Sequence, residues 1–160
     1  MKSNKFYRTL LGVLATVLLI SCGNKAGNNP DNKQTFPAKG AIYLHEFSAD
    51  VQKEDGMSAT GIYFAGNGVA EHFVLQVAPD DKSGFFKTCK VSYDPTQKVL
   101  TLTVSDRNEA GKEIEVKEQL KYDETNDTLT QISSDPKEAK VVLKRSKLKR
   151  SELKLTEHKL

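Results

Sequence analysis

The chain has 160 residues, 24 basic and 21 acidic side chains, a formal net charge of +3 and no tryptophan. Its histidines, His45, His72 and His158, lie at no ligand spacing, and Cys22 and Cys89 are far apart, so a metal site built on nitrogen and sulfur has little support. Aromatic and basic residues are not interleaved in the way that stacks bases, which argues against a nucleic-acid partner.

Taken in chain order, Lys2, Lys5 and Arg8 make a positive start. Leu10 to Ile20 is an apolar run broken only by Gly12 and Thr16, and Ser21 and Cys22 close it. These are the three parts of a secretory signal, and the run is shorter than the ~20 residues that span a bilayer. Leu19-Ile20-Ser21-Cys22 resembles the lipobox of bacterial prolipoproteins. The resemblance implies that residues 1–21 are a signal peptide that is cut away. It also implies that Cys22 carries acyl chains, palmitate among them, and that these tether the mature protein to the cell envelope. Several chains hold stably where one holds marginally. Gly23 stands where the enteric form of the family uses an aspartate for inner-membrane retention, so the outer membrane is the expected address. With Cys22 acylated, Cys89 has no partner for an intramolecular disulfide and is expected as a small buried hydrophobe on a strand.

Residues 23–39 are rich in Asn, Gly and Pro, with only Ala26, Phe36 and Ala38 apolar. Residues 22–39 are therefore expected to form the acylated cysteine and a flexible tether, because such a composition buries too little surface to offset its ordering entropy.

From Gly40 to Arg145 the apolar period is two, which predicts β structure throughout. Leu100, Leu102 and Val104 alternate with Thr101, Thr103 and Ser105. Ile114, Val116, Leu120 and Tyr122 alternate with Glu113, Glu115, Lys117 and Lys121. Phe73, Leu75 and Val77 share a face, as do Phe85, Cys89, Val91 and Tyr93. Residues 41–47, 59–65, 127–133 and 139–145 complete about eight strands. Turns are expected at Gly66-Asn67-Gly68, at Asp80, Asp81, Ser83 and Gly84, at Asp94-Pro95-Thr96, and at 108–111, 125–127 and 134–137. Residues 91–107 also align with 120–136 at an offset of 29: Tyr93, Asp94, Thr96, Leu100, Thr101, Ser105 and Asp106 recur as Tyr122, Asp123, Thr125, Leu129, Thr130, Ser134 and Asp135. Two successive hairpins use one recipe.

Short links favour antiparallel neighbours, and an eight-stranded meander removes its two edges by closing into a barrel. The Tyr-Asp turn, the Leu-Thr strand starts and the closing Val141-Val142-Leu143-Lys144-Arg145 resemble the small lipocalin-like domains of bacterial lipoproteins. The expected fold is thus all-β: an antiparallel meander of about eight strands closed into a lipocalin-like barrel over residues 40–145, with a two-sheet β-sandwich as the alternative. Lipocalins place a Gly-x-Trp on the first strand under an arginine of the last. Gly40 with Tyr43 stands as a degenerate form of that pattern, and Arg145 falls where the arginine would.

No Gly-x-Ser-x-Gly elbow or phosphate loop occurs, so no enzyme activity and no cofactor are expected. Glu113 and Glu115 read as solvated charge. Glu118 and Lys87 fall by parity on apolar faces, where each needs a partner, a ligand pocket or a bulge that turns it out to water. The leading expectation is a non-enzymatic binding module for a small apolar or amphipathic ligand in the barrel interior. Tyr43, Phe73, Tyr93 and Tyr122 would form its wall, with Lys87 or Glu118 fixing a polar end. The alternative is a protein-interaction module with a filled barrel, an accessory subunit or inhibitor of an exported enzyme in the envelope. Residues 140–160 carry eight basic and two acidic side chains, whereas removing Lys2, Lys5 and Arg8 leaves the mature chain balanced at 21 of each sign. The segment 146–160 is expected to be weakly held, helical in preference to an edge strand, and drawn to anionic surfaces.

Overall fold

The computed structural model describes residues 36–77, 82–108, 110–133, 135 and 140–158. The proposed signal peptide, Cys22 and most of the tether lie outside the described residues, as do Asp80, Asp81, Ser134, Pro136 and Lys137.

The elements run β1 (Ile42–Glu46), α1 (Ala49–Asp55), β2 (Met57–Gly66), β3 (Val69–Gln76), β4 (Ser83–Asp94), β5 (Val99–Arg107), β6 (Glu113–Asp123), β7 (Thr128–Gln131), β8 (Val142–Ser146), a 3-10 turn (Arg150–Glu152) and β9 (Lys154–Glu157). Strands β1 to β8 pair each with the next, and β8 pairs back with β1, all antiparallel. The result is a closed eight-stranded meander barrel, as the alternation predicts.

The turns explain the meander. At the β2–β3 hairpin Asn67 and Gly68 both have positive φ, 54° and 72°, the backbone that a two-residue loop needs to match strand twist. The two repeated hairpins share one device. Asp94 Oδ1 accepts the N–H groups of Thr96 at 2.8 Å and Gln97 at 3.1 Å, and Lys98 turns the chain at φ 54°. Asp123 Oδ1 likewise accepts Thr125 N–H at 2.9 Å and Asn126 N–H at 3.4 Å, and Asp127 turns at φ 50°. An aspartate that binds its own backbone two and three residues on is a local turn signal.

Two hydrophobic clusters sit on opposite faces of the wall. The inner cluster includes Tyr43, Ile62, Phe64, Cys89, Leu100, Leu102, Leu120, Leu129 and Leu143. Leu100, Leu120 and Leu129 are fully buried, each worth roughly 1.5–3 kcal/mol relative to exposure. The outer cluster, Ile42, Ala59, Phe73, Leu75 and Leu153 with Leu44, Tyr63, Phe86, Leu148 and Leu155, lies between β1–β4 and the C-terminal segment.

Four expectations are corrected here. Phe73 does not line the interior: it is paired with Phe86 on the outer face and roofed by the C-terminal leucines. Residues 146–160 are not a loosely held helix. After the 3-10 turn, β9 pairs parallel with Ser83–Phe86 of β4, and Leu153 is only 4% exposed. Residues 36–39 belong to the fold and not to the tether, since Phe36 and Ala38 pack on the inner cluster. Ser83 and Gly84 lie inside β4; a Cβ at Gly84 would sit 2.0 Å from the Val74 carbonyl oxygen, so glycine serves close strand approach there.

Candidate functional site

The barrel interior is divided along its axis. At the end where β8 finishes, Phe36 closes the barrel. Its ring stacks on Tyr122 at 3.7 Å and 15°, and lies 4.8 Å from Tyr93 in an edge arrangement. Tyr43 and Phe64 flank it at 6.4 and 6.3 Å. Tyr43 and Tyr122 both donate their hydroxyls to Asp127 Oδ1, and Arg145 lies over the Tyr43 ring at 5.5 Å. Burial, and next the Asp127 carboxylate, push the Tyr43 hydroxyl far above its ordinary range; the same causes raise Tyr122. Tyr43, Tyr93 and Tyr122 are therefore brought together as expected, but as a packed aromatic plug.

The opposite half of the interior is polar. Strand parity directs His45, Thr60, His72, Lys87, Asp106 and Glu118 inward. His45 pairs with Thr60, His72 with Lys87, and Glu118 with Leu102 across their ladders. Lys87 and Glu118 face inward as read from the sequence, but they do not pair with each other. Lys87 Nζ bonds Asp106 Oδ1 at 3.1 Å, and that oxygen also accepts the Arg107 N–H at 2.9 Å. Glu118 Oε2 lies 3.8 Å from His72 Nδ1. His72 Nε2 is 3.2 Å from Thr60 Oγ1, which donates to the Phe73 carbonyl at 3.2 Å. Asp106, His72 and Thr60 are members of this layer that sequence reasoning missed. Asp106 and His72 fall on inner-face parity, which was the available signal.

The wall beside this layer is split. The β4–β5 ladder ends at Lys90 with Thr103, while β5 continues to Arg107 against β6 alone and β4 continues back to Ser83 against β3 and β9. Between the diverging strands lies a cleft of about 490 Å³, lined by inward Lys87, Cys89 and Val104 and by Thr88, Ser105 and Glu157 among others. The Lys87–Asp106 ion pair crosses the split where ladder bonds are missing. Cys89 is buried; desolvation is the main cause that pushes its thiol up to about 11, with Glu118 adding to the rise. Among the described residues no group of His, Cys, Asp and Glu is arranged to hold a metal ion.

Towards the mouth, inward Phe85 and Ile114 are 42% and 38% exposed. The polar layer is thus flanked by packed aromatics on one side and by accessible apolar side chains on the other. Comparison with protein-family models, with curated proteins and with solved structures returned no match.

Proposed function

We propose that this protein is a membrane-anchored, non-enzymatic binding module that takes a small amphipathic ligand in the split half of its barrel. The observation that carries the reading is the end of the β4–β5 ladder at Lys90 and Thr103. It leaves a cleft of about 490 Å³, within the range of small-molecule sites, beside an inward layer of charged and hydrogen-bonding groups. Lys87 lines the cleft and remains the ligand-facing charge of the proposal; Glu118 lies deeper in the inward layer beside His72, and Tyr43, Tyr93 and Tyr122 belong to the closed end. The anchor half of the reading rests on the lipobox-like residues ending at Cys22, and it places the protein at the cell envelope.

Native mass spectrometry of the protein released from its own membrane tests the binding reading. A small-molecule adduct on the intact chain is expected. An adduct-free chain in stoichiometric complex with another envelope protein would replace it with the interaction-module reading. For the anchor, Cys22→Ser is expected to abolish fatty-acid labelling and processing; normal labelling of that variant would remove the lipid tether.

A further inference from the structure

One edge of β4 has two claimants. The Tyr122 N–H donates to the Lys98 carbonyl, so the even-numbered residues of β5 present their backbone groups to β6. Backbone groups alternate along a strand, and those of Thr103, Ser105 and Arg107 therefore point towards β4. The Val91 N–H donates to the Gly68 carbonyl, which turns the odd-numbered residues of β4 to β3 and leaves Phe86, Thr88 and Lys90 facing the other way. Lys90 opposite Thr103 is the last pair formed. Continued in that register, Thr88 would stand opposite Ser105, Lys87 opposite Asp106 and Phe86 opposite Arg107. The side chains already obey it, since Lys87 Nζ bonds Asp106 Oδ1 at 3.1 Å. The backbone does not, because β9 lies on the same edge, along Ser83–Phe86. The Phe86 carbonyl, which the continued ladder would give to the Arg107 N–H, accepts the His158 N–H at 2.8 Å. The Arg107 N–H ends instead on Asp106 Oδ1 at 2.9 Å. The Thr88 hydroxyl donates to Glu157 Oε1 at 3.5 Å.

We propose, building on the ligand-binding reading above, that the cleft is gated by this competition. Glu157 and His158 prop it open, and their release from β4 lets β5 zip onto Thr88 and Phe86 and close it. The exchange conserves backbone bonds: Phe86 trades its partners in β9 for Arg107, and Thr88 with Ser105 gains a pair that the open form lacks. Two packings of one edge, differing by a few bonds, make a bistable element. Only the tip of the strap has to move. Leu153 is buried and anchors it in the outer cluster, whereas Thr156, Glu157 and His158 are exposed. The moving parts are the walls of the cleft itself, since Thr88 and Ser105 line it together with Glu157 and His158. Zipping therefore removes the volume directly. Lys87 keeps Asp106 in both forms and pins the register of the closing strands.

The test is disulfide trapping in the full chain carrying Cys22→Ser and Cys89→Ala, so that only introduced thiols react. In the zipped register Thr88→Cys and Ser105→Cys form a hydrogen-bonded pair with Cα atoms about 5.5 Å apart, inside the range that a disulfide spans. Lys90→Cys with Thr103→Cys, a pair already in the ladder, reports in parallel that the barrel is folded. Trapping tracks the fraction of molecules in which two thiols are opposed. Under one mild oxidant, the disulfide between positions 88 and 105 is expected to form on the order of tenfold faster once residues 157–160 are removed. That cut leaves Leu153 and Leu155 in place, and the disulfide between positions 90 and 103 should form at one rate in both chains. Equal rates for positions 88 and 105 in the long and short chains overturn the gate, as does trapping there in the long chain as fast as at 90 and 103. Trapping needs no ligand, so either result leaves the binding reading standing. An adduct-free native mass spectrum overturns the binding reading and leaves the strand exchange in place.

Discussion

Asp127 is a turn residue that became a structural acceptor. Its counterpart one repeat earlier is Lys98, which has the same left-handed backbone and spends its side chain on an exposed ion pair with Glu124 at 3.0 Å. Such a pair contributes little. Asp127 instead receives the hydroxyls of Tyr43 and Tyr122 and ties β1 and β6 to the β6–β7 turn. Asp127→Asn keeps a residue that tolerates positive φ but removes the charge from both bonds. It is expected to lower unfolding free energy by about 1–3 kcal/mol, read from urea denaturation; Glu124→Gln should leave the midpoint in place. Cys89 gives a pH-dependent prediction. Its thiol is raised from 9.0 to about 11 in the fold, so the contribution of the neutral buried thiol is complete below about pH 9 and is lost as pH rises towards 11. The stability advantage of the native chain over Cys89→Ala should therefore shrink by about 1–3 kcal/mol across that window. Alkylation at pH 8 should be slow until the chain unfolds. Fast labelling of the native protein, or a pH-independent difference between the two chains, would contradict the buried setting.

At the scale of elements, the meander from β2 to β7 was legible because its signals are local. Asn67-Gly68, Asp94 and Asp123 each specify a turn from within a few residues, and the alternating strands between them then have little choice of partner. The C-terminal strand was not legible. Its partner in β4 lies some seventy residues back in the chain, it is four residues long, and Leu148, Leu153 and Leu155 fit no single helical stripe. What holds it is an apolar outer face on β1–β4, which the parity of β3 hid by placing Phe73 and Leu75 outward. Leu153→Ala is accordingly expected to cost about 2–5 kcal/mol. Removing residues 147–160 should uncover Phe73, Ile42 and Phe86 together and lower the melting temperature sharply. An unchanged melting temperature after that deletion would mean that β9 and its leucines add nothing to the core. Arg150 reinforces the strap, bonded to Glu71 and lying 5.4 Å from the Phe86 ring centre; neither partner is near it in sequence, so neither contact could be read from spacing.

For the whole molecule, the two ends of the barrel are built differently. Phe36 enters the closed end, and the split polar half lies at the far end. Inward charge at Lys87 and Glu118 was readable from strand parity. The split beside Lys87 was not, because it depends on where the β4–β5 ladder stops and on β9 taking the vacated edge of β4. The basic C-terminal stretch divides in the same way. Arg145 and Arg150 are engaged with Tyr43, Glu71 and Phe86, whereas Lys144, Lys147 and Lys149 are exposed around the end of β8, the end that Phe36 closes. Lysines near an anionic membrane surface add attraction of about 1 kcal/mol each close to the headgroups, screened over ~8 Å at physiological salt. Deleting the segment cannot isolate this term, because the deletion also strips the outer core. Substituting Lys144, Lys147 and Lys149 with Gln can, since none of the three is buried. The Cys22→Ser chain is expected to bind vesicles rich in anionic lipid at low salt and to lose most of that binding by ~0.15 M salt. The triple Gln variant in the same background should bind on the order of a hundredfold more weakly at low salt with an unchanged melting temperature. Salt-independent binding, or binding that survives the three substitutions, would show that the lysines are ordinary solvated surface.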